Sequence, residues 1–131
     1  AIGNSAGQTA QSTGAIAIGY QAGSTGQSTN AIAIGIQAGF TGQGTNAIAI
    51  GKFAGQTNRA INTIVLNASG SGVTGATANA TYIAPIRNIT QTNILGYDTT
   101  TSEITYWSPA TIVATGGQST VTFFENGKHG L

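Results

Sequence analysis

Residues 15–23 read AIAIGYQAG, and residues 31–39 and 47–55 repeat this phrase as AIAIGIQAG and AIAIGKFAG. The shorter phrase AIG starts at residues 1, 17, 33 and 49, so its copies are 16 residues apart. Every second residue of AIAI is large, which is the period of a β-strand with one buried face. A fixed period of this kind indicates a repeat architecture in which each unit stacks on the next.

A unit of 16 residues is too short for a helical hairpin, which needs roughly 34 residues in the common helical repeats. Its many Gly, Thr and Ser residues also form helices poorly. We therefore predict an all-β fold, a parallel β-solenoid (β-roll) of 16-residue coils. In each coil we place a first strand, as at Ala15–Gly19, a turn at the Ala-Gly pair, a weaker strand, as at Ser24–Thr29, and a second turn at Asn30.

Stacked coils bring equivalent side chains into columns, and we expect the Ile columns to form a thin apolar core. Each buried Ile contributes roughly 1.5–3 kcal/mol, whereas ordering the backbone costs about 1–2 kcal/mol for every residue of the coil. This balance predicts that lateral association with other copies completes the core. The positions predicted to define the structural repeat are Ile2, Gly3, Ile16, Ile18, Gly19, Ile32, Ile34, Gly35, Ile48, Ile50, Gly51 and Ile64.

The second half of the chain loses the repeat after Ile64. We assign residues 1–66 to the solenoid, residues 67–81 to a transition and residues 82–131 to a strand-rich neck or cap. Within the neck we predict two strands joined by a polar turn at Thr99–Ser102 and a last strand at Ser119–Phe124. Pro85 and Pro109 bracket the first pair and favour strand edges or turns.

Charged residues make up only 5 % of the chain, against about 25 % in an ordinary globular protein. The net charge of +1 and the scattered basic residues argue against a nucleic-acid partner. No run of about 18 apolar residues occurs, so we predict no membrane insertion. The sequence opens inside a repeat and lacks an initiator Met, so we expect a processed product or a piece of a longer protein.

Titratable groups are too few to suggest catalysis, so we predict no enzyme activity, catalytic residue, cofactor or metal. Asp98 and Glu103 flank the predicted polar turn, where we interpret them as solvated carboxylates rather than an acid–base pair. His129 has no second His or Cys nearby. No Asp or Glu precedes Asp98, which argues against calcium-binding turns in the solenoid.

Two sets of side chains are candidates for surface contacts. Tyr82, Tyr97, Tyr106 and Trp107 fall in the second half of the chain. We interpret them as core contacts between copies of the chain, in a trimer by the resemblance given below, in preference to a glycan or receptor patch. Thr columns suggest an ice-binding face, but we expect Gln11, Gln27 and Gln43 to lie between them and roughen it. Thr ladders that stabilise the strands are therefore the favoured interpretation.

The phrases at residues 15–23, 31–39 and 47–55 resemble the head repeats of trimeric autotransporter adhesins of the YadA-like kind, and similar repeats occur in phage and giant-virus fibre proteins. This resemblance implies a trimer of left-handed parallel β-rolls with a surface or attachment role. Residues 85–88 and 95–106 resemble the neck that precedes a self-cleaving intramolecular chaperone in viral and phage tail-fibre-like proteins. The second resemblance implies an interlocked trimeric neck that caps the solenoid edge.

From these observations we expect a structural fibre or adhesin-like stalk segment, extracellular and on the surface of a virion or cell, that gives extension and host attachment. Its expected partners are further copies of the chain, in a homotrimer, and a cell-surface receptor or glycan. Two alternatives stay open. One is a self-assembling extracellular filament subunit, and the other is a carbohydrate-binding β-solenoid.

Overall fold

The computed structural model describes residues 1–57, 60–90 and 93–107, without the Trp107 side chain. The chain divides into two compact units, Ala1–Arg87 and Asn88–Leu131. All regular elements in the described ranges are β-strands, which confirms the predicted all-β class. They are β1 Ile16–Ile18, β2 Ile32–Ile34, β3 Ile48–Ile50, β4 Ile64–Asn67, β5 Thr81–Ala84, β6 Ile94–Asp98 and β7 Glu103–Trp107.

The first unit is a parallel β-solenoid. Its sheet has the order β1-β2-β3-β4-β5 with every pair parallel. Ile16 pairs with Ile32, and β1 to β4 are in register at the predicted spacing of 16 residues. β5 follows β4 at a spacing of 17 residues, with Ile64 opposite Thr81. The opposite wall is reduced to single-residue bridges, as between Thr9 and Thr25. The weaker strand predicted at Ser24–Thr29 is therefore one bridge residue flanked by irregular backbone.

The interior of the solenoid is lined by Ala, not by Ile, so the predicted Ile core is wrong. Ala17 at the centre of β1 is completely buried, while Ile16 and Ile18 on either side of it are 44 % and 38 % exposed. The same pattern recurs in β2 and β3. A 16-residue coil encloses too narrow a space for two rows of Ile once the opposite wall also contributes side chains, so the small residue turns inward.

Those inward side chains from the opposite wall are glutamines. Gln27 and Gln43 are fully buried, so the expectation that these glutamines roughen the Thr face is wrong. The Nε2 of Gln27 donates to the carbonyls of Ile16 and Ala31 at 2.6 and 3.1 Å and to the Oε1 of Gln43 at 3.2 Å. Gln11 donates in turn to the Oε1 of Gln27 at 3.3 Å. A ladder of amides thus runs along the interior.

Two residue types make the corners. Gly23, in the Ala-Gly turn that the repeat predicted, has a φ of 51°. Gly19 ends the first predicted strand but is a corner residue instead, since β1 stops at Ile18. Gly19 and its equivalent Gly35 have φ near +125°, and a Cβ on Gly19 would lie 2.7 Å from the carbonyl oxygen of Gly35. Only Gly therefore allows the coils to stack closely at this corner. Asn30 and its equivalents have φ between 54 and 58°, in the left-handed region that Asn tolerates. Their side-chain amides form a second, exposed ladder through Asn46, Asn62 and Asn79.

In the second unit, β6 and β7 form an antiparallel hairpin in which Asp98 lies opposite Glu103. The Asp98 carboxylate accepts hydrogen bonds from the backbone N–H groups of Thr100 and Thr101 at 2.7 and 3.2 Å. This confirms the predicted pair of strands with a polar turn between them. The predictions at Pro109, Ser119–Phe124 and His129 lie outside the described residues.

Candidate functional site: the isoleucine face

The outward side chains of β1–β5, apart from Thr81, form an apolar surface, here called the isoleucine face. Because strand side chains alternate, the two residues that flank each inward Ala both point out of the solenoid. Parallel pairing then aligns them in two columns along the axis. The face consists of Ile16, Ile18, Ile32, Ile34, Ile48, Ile50, Ile64, Leu66 and Ile83.

Much of this apolar surface is in contact with water in the single chain. Six of its residues, among them Ile16 and Ile83, are between 37 and 45 % exposed. The surface continues around the corner through Tyr20 and Ile36, which are about half exposed. At the next equivalent position Lys52 places its ammonium 4.8 Å from the centroid of the Phe53 ring. A contiguous apolar patch of this kind is typical of an interaction surface in soluble proteins.

The size of the face sets the affinity that it can give. Burying the remaining 40 % or so of one such side chain would contribute roughly 0.6–1.2 kcal/mol. The six residues that are 37–45 % exposed would together contribute roughly 4–7 kcal/mol, against an association cost of about 4–15 kcal/mol. One coil therefore falls well short of this cost, whereas several coils acting together come within its range.

The aromatic residues singled out in the sequence fall in different environments. Tyr82 packs partly buried against the Ala-lined core of the first unit, a placement that does not favour an outer ligand contact. Tyr97 and Tyr106 lie on one face of the hairpin and are 62 and 72 % exposed. The Trp107 side chain lies outside the described part of the chain.

The wall opposite the isoleucine face offers hydroxyl groups but no charge. Thr25 and Thr41 flank a shallow open groove of about 370 Å³, whose floor includes Gly26, Gly42 and Ser28. Since the glutamines point inward, Gly and Ser lie between the Thr columns. No aromatic or ionisable side chain lines this groove, so its chemistry is limited to hydroxyl hydrogen bonds.

Hydrogen bonds lower the pKa of two titratable groups among the described residues. Hydrogen bonds from the backbone of Thr100 and Thr101 lower the pKa of Asp98, and hydrogen bonds from Thr77 lower the pKa of the Tyr82 phenol. Within residues 1–57, 60–90 and 93–107, no group of three metal-ligating side chains comes together. The same ranges contain no helix of the length and apolarity needed to cross a membrane.

Sequence reasoning missed both the outward direction of the Ile columns and the inward direction of the glutamines. A signal for each was present. Ala occupies the alternate strand position in every repeat, and Gln recurs at residues 11, 27 and 43 with the same period as the strands. A polar residue that keeps the period of the fold is a candidate for a buried ladder.

Comparison of the chain with protein-family models, with curated proteins and with solved structures found no match. The functional argument therefore depends on the geometry of the chain itself and on the resemblance of its repeats.

Proposed function

We propose that the chain is a segment of a trimeric fibre or adhesin-like stalk on the surface of a virion or cell, where it gives extension and supports host attachment. The isoleucine face is the observation that carries this proposal. It is a straight apolar surface along one side of a solenoid whose interior is already filled by Ala and Gln. Such a surface needs a partner of the same length and chemistry, and a further copy of the chain has both.

A closed cyclic arrangement accounts for a face confined to one side of the solenoid. In a ring of copies around a common axis, every copy turns its isoleucine face inward, so that none of these faces stays exposed to water. The choice of three copies follows from the resemblance of the repeats to trimeric adhesin heads. The stacking of the coils supports a stalk function, since each added coil lengthens the fibre by about 4.8 Å without changing its cross-section.

The proposal is tested by the solution mass of the full chain and of two sets of Ile variants. We expect light scattering to give three times the chain mass of 13.0 kDa. The double variant Ile18→Ser/Ile50→Ser should shift the mass toward one chain, since two apolar contacts per copy are lost. Ile61→Ser is the matched control, because Ile61 is 49 % exposed but lies outside the isoleucine face.

A monomeric wild-type chain would overturn the proposal. So would an equal loss of mass in the Ile61→Ser control, because the contact would then not be confined to the isoleucine face. Circular dichroism on each variant separates dissociation from unfolding.

A further inference from the structure

The end of the solenoid differs from its repeats in how it uses backbone hydrogen bonds. In the repeats, the N–H two residues before the corner Asn position donates to the next coil. Ser28, two residues before Asn30, donates to the carbonyl of Gln43 at 3.0 Å, and Ser12 donates to Gln27 at 2.9 Å. This bond is one of the links by which each coil holds the next.

In the coil whose corner residue is Asn79, the equivalent N–H donates to a side chain of the same solenoid instead of to a further coil. Thr77 holds the same position, two residues before Asn79, which continues the corner ladder. Its N–H donates to the hydroxyl of Tyr82 at 3.0 Å. The group that would pair with a further coil is therefore already satisfied by a side chain of the same solenoid.

A second link is removed by proline. The pairing of β4 with β5 includes a bond from the N–H of Ala68 to the carbonyl of Ala84 at 2.7 Å. The register places Pro85 beside Ala68, and Pro has no N–H to offer to a further strand. In the part of the chain that the structure describes, β5 is thus the edge strand of its sheet, and it cannot offer a further strand the equivalent of the Ala68 hydrogen bond by which β4 holds it.

A third difference appears at the corner. In the repeats, backbone carbonyls such as that of Ile36 accept an N–H from the next coil, here Phe53 at 2.9 Å. The equivalent carbonyl of Lys52 instead accepts from the side-chain Nδ2 of Asn67 at 2.8 Å, and the Oδ1 of Asn67 accepts from the N–H of Ser69 at 3.0 Å. The side-chain amide of Asn67 thus takes the place of the backbone N–H that joins neighbouring coils at this corner in the repeats.

The inward side chains of the strands also become larger toward this end of the solenoid. The residue at the centre of the inward column is Ala in β1, β2 and β3, then Val65 in β4 and Tyr82 in β5. Within the described residues the column therefore ends on its largest side chain, which packs against the core formed by the earlier coils.

We infer that residues 67–85 are a built-in cap that stops β-pairing beyond β5, so that copies of the solenoid do not stack end to end. Uncapped sheet edges pair readily with other chains, and natural proteins block them with proline or with side chains. The cap limits growth along the axis, whereas the isoleucine face governs association across it. This inference is independent of the number of copies in the fibre and opposes the filament alternative.

The first test uses hydrogen exchange of the Thr77 amide in the full chain. Tyr82→Phe keeps the ring in the core and removes only the hydroxyl that accepts from Thr77. We expect exchange at Thr77 to become roughly two- to tenfold faster, the range for losing one hydrogen bond, with Asn79 as the internal control. An unchanged Thr77 rate would overturn the cap.

The second test measures mass against concentration for Tyr82→Ala/Pro85→Ala, which restores an Ala in the interior and an N–H at the edge. We expect a distribution that grows with concentration and reverses on dilution, while wild type and the exposed control Tyr106→Ala stay discrete. A folded double variant that stays discrete, or a wild type that is itself open-ended, would overturn the inference. If the double variant does not fold, the exchange result decides. A discrete wild-type monomer would refute the trimer and leave the cap intact.

Discussion

Gln27→Leu is expected to destabilise the solenoid far more than any change to an exposed amide. Leu is close to Gln in volume, so the change removes hydrogen bonds without opening a large cavity. Gln27 donates to two backbone carbonyls and to Gln43, and it accepts from Gln11. Its side chain is fully buried, as is that of Gln43.

The magnitude follows from which groups lose a partner. The Oε1 of Gln43 loses its donor in a dry interior, which costs about 1–3 kcal/mol. Gln11 still donates to the carbonyl of Ala15 at 3.0 Å, so its loss is smaller. The carbonyls of Ile16 and Ala31 each lose the hydrogen bond from Gln27, which adds about 0.5 kcal/mol for each carbonyl. We therefore expect the free energy of unfolding to fall by roughly 2–4 kcal/mol.

Urea denaturation followed by circular dichroism provides the assay, at one fixed protein concentration because association contributes to apparent stability. Gln21→Leu is the matched control, since Gln21 is only partly buried and accepts one hydrogen bond, from Gln37 at 2.7 Å. The control should lose less than about 1 kcal/mol. Equal losses in the two variants would refute the buried ladder as a major source of stability.

Two further predictions concern backbone and charge. Gly35→Ala should lower the free energy of unfolding by roughly 3 kcal/mol or more, because backbone strain of about 1–3 kcal/mol adds to a clash with the next coil. Gly70→Ala should lower it by about 1 kcal/mol in the same urea assay, because no atom lies within 4 Å of the added Cβ. Hydrogen bonds from Thr100 and Thr101 hold the folded pKa of Asp98 below its ordinary value of 3.8, so hairpin stability from this group is fully present above that value and is lost as pH falls through the folded pKa. An NMR titration of the Asp98 carboxyl should give a midpoint below 3.8, and a midpoint at or above it would contradict the turn geometry.

Among the described residues, the polar stabilisation of the solenoid comes mainly from side-chain amides, which fits a sequence with 5 % charged residues. Besides the buried ladder, Gln37 accepts from Gln56 at 2.8 Å and donates to Gln21 at 2.7 Å along an outer corner. Identical amides stacked at the spacing of β-strands hydrogen-bond to one another without a change in charge. We therefore expect the stability of the solenoid to depend little on salt or pH.

The sequence by itself determined the period, the position of the first strand in each coil and the turns at the Ala-Gly pair and at Asn30. A 16-residue spacing of AIG can be satisfied only by short coils, and Gly and Asn at fixed positions specify where the backbone takes positive φ. The polar turn after Asp98 was also predictable from local residues.

Only the tertiary structure decided which strand face is buried. A period of two residues requires that Ala17 and Ile18 point to opposite sides of the strand, but it does not specify which side faces the interior. That choice depends on the width of the closed coil, and the width is set by Gln27, a residue 10 positions away in sequence that fills the space beside Ala17. The isoleucine face and the cap at Tyr82 follow from this choice, because both arise from contacts between coils rather than from any one coil.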